Sequence, residues 1–200
     1  KSVSFQSVEN CKIKKNIGII GDRIFAFAKD LDLEQAKLFE KSPAERKGKW
    51  NKVLTLKNSP ALNKYNFIFK DEKLTLTFKD NEILSIDINQ STEREALSNK
   101  ISELESSLKQ PITLMKNDAF PFFDTSISKK VDFVNSVSLL NFQSINDFEK
   151  KVSKKIETSI FRGNICIDGL EPWKEREWIG KTIKINNVSF KVEKNIPRCV

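Results

Sequence analysis

Residues 65–88 read YNFIFKDEKLTLTFKDNEILSIDI, and this stretch decides the fold class. Apolar and polar residues alternate through three short runs, a period that turns one face of a strand inward and the other outward. Charged tight turns, Lys70 to Lys73 and Lys79 to Glu82, separate the runs. The reading is a β-meander, which makes a sheet or a barrel the expected framework.

Upstream, KSVSFQSVENCKIKK (1–15) also alternates, DRIFAFAKD (22–30) gives another short strand, and Gly18 and Gly21 punctuate the turn between them. Downstream, Thr92 and Glu95 have capping-box spacing, and Leu97, Ile101, Leu104 and Leu108 recur at helical intervals until Pro111 stops them. A change of subdomain is expected there. Beyond it, VDFVNSVSLLNF (131–142) reads as an apolar strand entering a turn. Ser144 is placed to cap a second helix with Phe148, Val152 and Ile156 on one face. In IFRGNICIDGL (160–170), alternation sets Ile165 and Ile167 on one face and Arg162, Asn164, Cys166 and Asp168 on the other. Gly180 then opens a hairpin of Thr182 to Ile185 and Val188 to Val192. The expected class is mixed, β-rich α+β, as two linked β-rich lobes with two or three helices.

The 200 residues, 38% hydrophobic and 31% charged, suffice for one sizeable core or two small ones. No apolar run is long enough to span a bilayer and no signal-peptide pattern is present, so a soluble chain is expected, with a cytoplasmic address. The chain starts without Met and stops one residue after Cys199, so further sequence is expected at one or both ends. Three widely spaced Cys argue against a disulfide framework and for a reducing compartment. Net charge is +8, but runs such as CKIKKN, EKKVSKKIE and ERKGKWNK mix with acids and read as solvated faces rather than a nucleic-acid surface.

The chain has no His, which removes the usual neutral-pH acid, base and metal ligand. No serine-type nucleophile motif, zinc-ligand spacing, phosphate loop or dinucleotide fingerprint stands out. What remains is thiol and cation. Arg23 stands at a turn into a strand, Arg162 lies in FRGN, and Arg198 adjoins Cys199. Guanidinium forks bind phosphate or a pterin edge through paired hydrogen bonds, and a neighbouring cation favours a thiolate. Each has a plainer reading as well: Arg23 as a surface pair with Asp22 or Asp30, Cys166 as a small buried hydrophobe, Cys199 as a structural residue.

FRGNICIDGLEPWKEREWIGKTIKI (161–185), followed after a second strand by Arg198 and Cys199, closely resembles the MOSC domain, named for the C-terminal domain of molybdenum-cofactor sulfurase. Lys1 and Ser2, with GIIGDRIFAFAKD (18–30), resemble the β-barrel domain that precedes MOSC in the mitochondrial amidoxime-reducing component and its bacterial relatives. The resemblance implies an N-terminal MOSC-associated β-barrel domain over 1–110 and a MOSC domain over 111–200, with the family's closing segment lying past Val200. It implies a molybdenum pyranopterin with Cys199 as thiolate ligand to the metal and catalytic residue, a ligation that suits soft sulfur. Lys1, Ser2 and Arg23 would hold its phosphate and pterin, and Asn135, Ser138, Arg162, Asn164 and Arg198 would line the MOSC side.

The activity implied is an oxidoreductase acting on small N-hydroxylated or N-oxygenated compounds. With three Cys and no His the chain builds neither a four-thiolate cluster nor a His-ligated haem, so electrons are expected from a flavin reductase, a ferredoxin-like protein or a cytochrome b5-like protein. The alternative is a sulfur or molybdenum-cofactor carrier with a persulfide on Cys199. A third reading, a basic nucleic-acid-binding barrel, would show itself as steep salt-dependent polynucleotide binding without metal.

Overall fold

The computed structural model describes residues 8–15, 17–108, 111–122 and 136–196. The chain divides into two compact units, Lys1–Asn135 and Ser136–Val200. In the first unit, β1 (Ile13–Lys14) and β2 (Gly18–Ile19) form a short antiparallel pair. Gly18 and Gly21 both take φ of +87°, a left-handed conformation that glycine adopts without a Cβ clash. Next come β3 (Phe25–Lys29) and α1 (Leu33–Lys41). Asp32 Oδ1 accepts from the Gln35 N–H at 2.7 Å while the Gln35 side chain accepts from the Asp32 N–H, a reciprocal capping box.

The meander is built as its alternation predicts, from β4 (Tyr65–Lys70), β5 (Lys73–Phe78) and β6 (Asn81–Asp87), paired antiparallel in that order. Both turns are two-residue hairpins with left-handed backbone, at Asp71 and Glu72 and at Lys79 and Asp80. Their twist matches that of the strands they join. Leu74 and Leu76 point inward and are fully buried with Leu62, Ile88, Leu97 and Ile101, each such side chain contributing about 1.5–3 kcal/mol by leaving water.

Leu97 and Ile101 lie on α2 (Ser91–Leu104), which packs on this core through the face that the sequence assigned. Its start differs from expectation. Gln90 is the N-cap residue and no side chain caps the helix, while Glu93 reaches back to accept the Asp87 N–H at 2.5 Å. The helix also stops at Leu104, which is 37% exposed, and Leu108 packs on the core from beyond its end. β7 (Ile112–Lys116) pairs antiparallel with β3 along its whole length, from Lys29↔Ile112 to Phe25↔Lys116, so this strand beyond Pro111 packs with the first unit.

The second unit starts with β8 (Leu139–Asn141), crosses through α3 (Phe142–Val152) and returns in β9 (Ile165–Ile167), parallel to β8. A helix between parallel strands is the usual way to make that crossover. The hairpin of β10 (Thr182–Ile185) and β11 (Val188–Lys191) follows, with Gly180 just ahead of it as expected. Asn141, not Ser144, caps α3, with Oδ1 accepting from the Gln143 N–H at 3.1 Å. Ser144 sits inside the first turn with its hydroxyl committed elsewhere.

The described residues are thus mixed α+β and sheet-rich, with three α-helices. Their strands pair in open sheets of two or three, and no closed barrel occurs among them. No helix among them is long and apolar enough to cross a membrane.

Candidate functional site

Parallel pairing of Leu139 with Ile165 brings the residues just ahead of each strand, Ser138 and Asn164, side by side. They lock together reciprocally. Asn164 Oδ1 accepts from the Ser138 N–H and from its hydroxyl, both at 3.0 Å, and the Asn164 N–H donates to Ser138 Oγ at 3.0 Å. The Ser138 carbonyl in turn accepts from the Asn164 and Ile165 N–H groups at 3.1 and 2.9 Å. These bonds fix the Asn164 carboxamide by its oxygen, and its NH2 group makes no hydrogen bond to a described residue. Asn164 is exposed, so those donors face outward.

Arg162 is half-buried in a left-handed conformation, φ 51° and ψ 43°, closing the 3-10 turn Thr158–Phe161. It therefore stands outside the strand alternation that the sequence suggested, while Asn164, Cys166 and Asp168 are all exposed as that alternation requires. Cys166 is thus no buried hydrophobe. Gly163, between Arg162 and Asn164, is buried against β8. A Cβ there would lie 2.9 Å from Leu140 Cβ, so the motif needs glycine for close packing of the two strands.

A second polar assembly, missed in the sequence, ties the EPWKE segment (171–175) to the start of α3. Fully buried Asn141 donates to the Glu171 carbonyl at 3.0 Å and to the Glu175 carboxylate at 2.9 Å. The Ser144 hydroxyl donates to Glu175 at 2.7 Å and accepts the Trp173 N–H at 2.8 Å. Trp173 Nε1 donates to Asp147 at 2.5 Å, and the Arg176 guanidinium stacks on the indole at 4.4 Å. Hydrogen bonds from Lys151 and then Trp173 hold the Asp147 carboxyl below its usual range. Asp168 is likewise held low, by the Gln143 amide first and the Gly169 N–H second, so it is an ionised acceptor at neutral pH. The only sequence signal for this assembly is the cap-like Ser144, since the partner acids lie some thirty residues away.

In the first unit, Arg23 precedes β3 in a left-handed conformation, φ 57°, with Nε bonded to Asp22 at 2.7 Å. Of the two surface pairs considered from sequence, the one with Asp22 forms, and Asp30 instead lies 3.7 Å from Lys52. The Arg23 carbonyl accepts the Phe122 N–H at 2.7 Å. Lys1, Ser2, Asn135, Arg198 and Cys199 lie outside the described residues. Among those described, no three His, Cys, Asp or Glu side chains gather where a metal ion would sit.

Residues 130–200 match the model of the MOSC domain, a stretch that takes in Ser138, Arg162 and Asn164 of the second unit. Among curated proteins, the chain is similar to mitochondrial amidoxime reducing component 2 of Bos taurus, 29% identical over 84 residues. That alignment takes in 42% of this chain and 24% of the bovine protein, so the chain spans about a quarter of the relative it matches.

Proposed function

We propose that this chain binds a molybdenum pyranopterin and belongs to an oxidoreductase that reduces N-hydroxylated or N-oxygenated compounds with electrons from a partner protein. The observation that carries this reading is the MOSC match over 130–200, which takes in Asn135, Ser138, Arg162, Asn164, Arg198 and Cys199. Similarity to an amidoxime reducing component supports the reaction class. The donor set fits such a group. Asn164 presents an outward NH2 on a rigid mount, and a pterin edge is rich in nitrogen and oxygen acceptors.

In this reading Cys199 supplies the thiolate to the metal. Asn164, Ser138, Asn135, Arg162 and Arg198 hydrogen-bond the cofactor from the MOSC side. Arg23, Lys1 and Ser2 hold its phosphate and pterin from the first unit, which would be the MOSC-associated N-terminal domain, with barrel closure in both lobes. When bound, the cofactor supplies the two-electron chemistry that takes oxygen from the substrate. Reducing an N–OH group consumes two electrons and two protons and releases water. The cations and amides around the site then stabilise charge developing on the departing oxygen. A flavin reductase, ferredoxin-like or cytochrome b5-like donor would supply the electrons, in the cytoplasm.

The test is metal and pterin analysis of the protein beside a Cys199→Ser variant, with benzamidoxime reduction by reduced methyl viologen followed in both. We expect about one molybdenum per chain in the wild type and loss of metal and turnover in the variant, as removal of a sole protein ligand requires. Equal metal content and turnover in the two proteins would refute the ligand assignment. A protein that binds no metal yet takes up sulfane sulfur on Cys199 would be the carrier instead.

A further inference from the structure

We infer that Arg46 is a positioning residue for Arg23, holding the backbone from which Arg23 reaches the cofactor; this rests on the function proposed above. Arg46 is 3% exposed, and its guanidinium is spent on main-chain carbonyls: Nε donates to Phe39 O at 2.8 Å and Nη2 to Glu40 O at 2.7 Å. Nη1 donates to Phe120 O at 2.8 Å and Pro121 O at 3.1 Å, and the planar group lies 4.0 Å over the Phe122 ring. One side chain thus clamps the last turn of α1 to residues 120–122.

The clamped segment is the one that holds Arg23. The Phe122 N–H donates to the Arg23 carbonyl at 2.7 Å, and the Asn117 N–H donates to the Ile24 carbonyl at 2.7 Å. Asn117 Nδ2 shares the Glu40 carbonyl with Arg46 at 2.6 Å. Arg23 itself sits at φ 57°, a conformation that a non-glycine residue keeps only when its surroundings over-determine it. The Phe122 N–H bond to the Arg23 carbonyl is part of that constraint, and Arg46 holds Phe122 through its ring face and through the two carbonyls that precede it. Burial lowers the Arg46 pKa to about 10, against the raising effect of Glu40. A well-packed apolar side chain of similar volume would stabilise a core as well. A fork that binds four carbonyls on two segments fixes geometry that an apolar residue does not.

The test uses the full chain in four forms: wild type, Arg46→Lys, Arg23→Gln and the double variant. Arg46→Lys keeps the charge and loses the fork, and Phe122→Leu serves in its place if that protein fails to fold. We expect faster amide exchange at Phe122 in Arg46→Lys, with the meander amides unchanged. Molybdopterin binding should weaken roughly tenfold, the scale of one well-placed charge-assisted hydrogen bond. In the Arg23→Gln background the Arg46→Lys change should have no further effect on binding, because the two act as one unit. Unchanged exchange at Phe122, or a full tenfold loss in both backgrounds, overturns the inference. Should Arg23→Gln bind molybdopterin as the wild type does, the cofactor role of Arg23 fails, and the exchange result alone decides whether Arg46 positions it.

Discussion

A methyl group added at Gly163 would sit 2.9 Å from Leu140 Cβ and 3.4 Å from Leu140 Cδ2. The first of these atoms is fixed to the backbone, so relief requires the paired strands to separate. Gly163→Ala is therefore expected to destabilise the second unit by about 1–3 kcal/mol and to loosen the neighbouring Ser138–Asn164 lock. Urea unfolding together with amide exchange at Asn164 and Ile165 measures both; an unshifted midpoint would mean that the strands absorb the methyl. Asn164 separates structure from chemistry. Asn164→Asp keeps the oxygen that accepts from Ser138, whereas Asn164→Ala removes it, so only the alanine variant should lose about 1 kcal/mol of stability. Both lose the outward NH2, and both should lower molybdopterin retention if that group contacts the cofactor.

Where α2 ends, its next residue returns a charge to the core. Glu105 is 5% exposed, accepts from the Tyr65 hydroxyl at 2.6 Å and pairs with Lys64 at 2.5 Å, tying the helix to the start of β4. Burial alone would raise the Glu105 carboxyl pKa, but hydrogen bonds from Lys64 and Tyr65 outweigh it and hold the group below its ordinary value of 4.5. A carboxyl that titrates lower folded than unfolded contributes fully above the unfolded value and loses that contribution as pH falls through the folded one. Tyr65→Phe leaves the buried carboxylate short of a donor and should cost about 1–3 kcal/mol at neutral pH. The gap from wild type should shrink below pH 4.5, and a pH-independent gap in urea titrations would contradict this account. The contrast with the meander explains what was legible beforehand. Alternating residues and charged two-residue turns are local signals, so β4 to β6 and the β10–β11 hairpin lay open in the sequence. The start of α2 differs from the expected Thr92 cap: Gln90 is the N-cap residue, and Glu93 accepts the Asp87 N–H. Helix α1 escaped notice because its signal is only Asp32 with Gln35 and a short apolar face. Ser138 and Asn164 were legible only as separate positions, since the register that joins them is a long-range fact.

Across the whole molecule the apolar core is unevenly shared. Among the described residues, the buried hydrophobic side chains belong to the first unit except for Ile145, while Phe148, Val152, Ile160 and Ile179 of the second are 38%, 44%, 58% and 43% exposed. The second unit is held instead by polar assemblies, Ser138 with Asn164 and Asn141 with Ser144, Glu175 and Trp173. Net contributions of such bonds are small, about 0.5–1.5 kcal/mol each, whereas full burial of each Leu or Ile gives about 1.5–3 kcal/mol. The second unit should therefore open at lower denaturant than the first, with β8 and β9 amides exchanging well before those of β4 to β6. A ligand that binds only the folded form stabilises it in proportion to the logarithm of its concentration over Kd. If the MOSC unit is where molybdopterin binds, saturating it should slow exchange across Ser138–Asn141 and Asn164–Ile167 and leave the meander unaffected. Hydrogen-exchange mass spectrometry with and without molybdopterin reads both regions at once. Protection confined to the meander would place the ligand away from the MOSC unit, and simultaneous opening of the two regions without ligand would show that the polar assemblies hold as firmly as the apolar core.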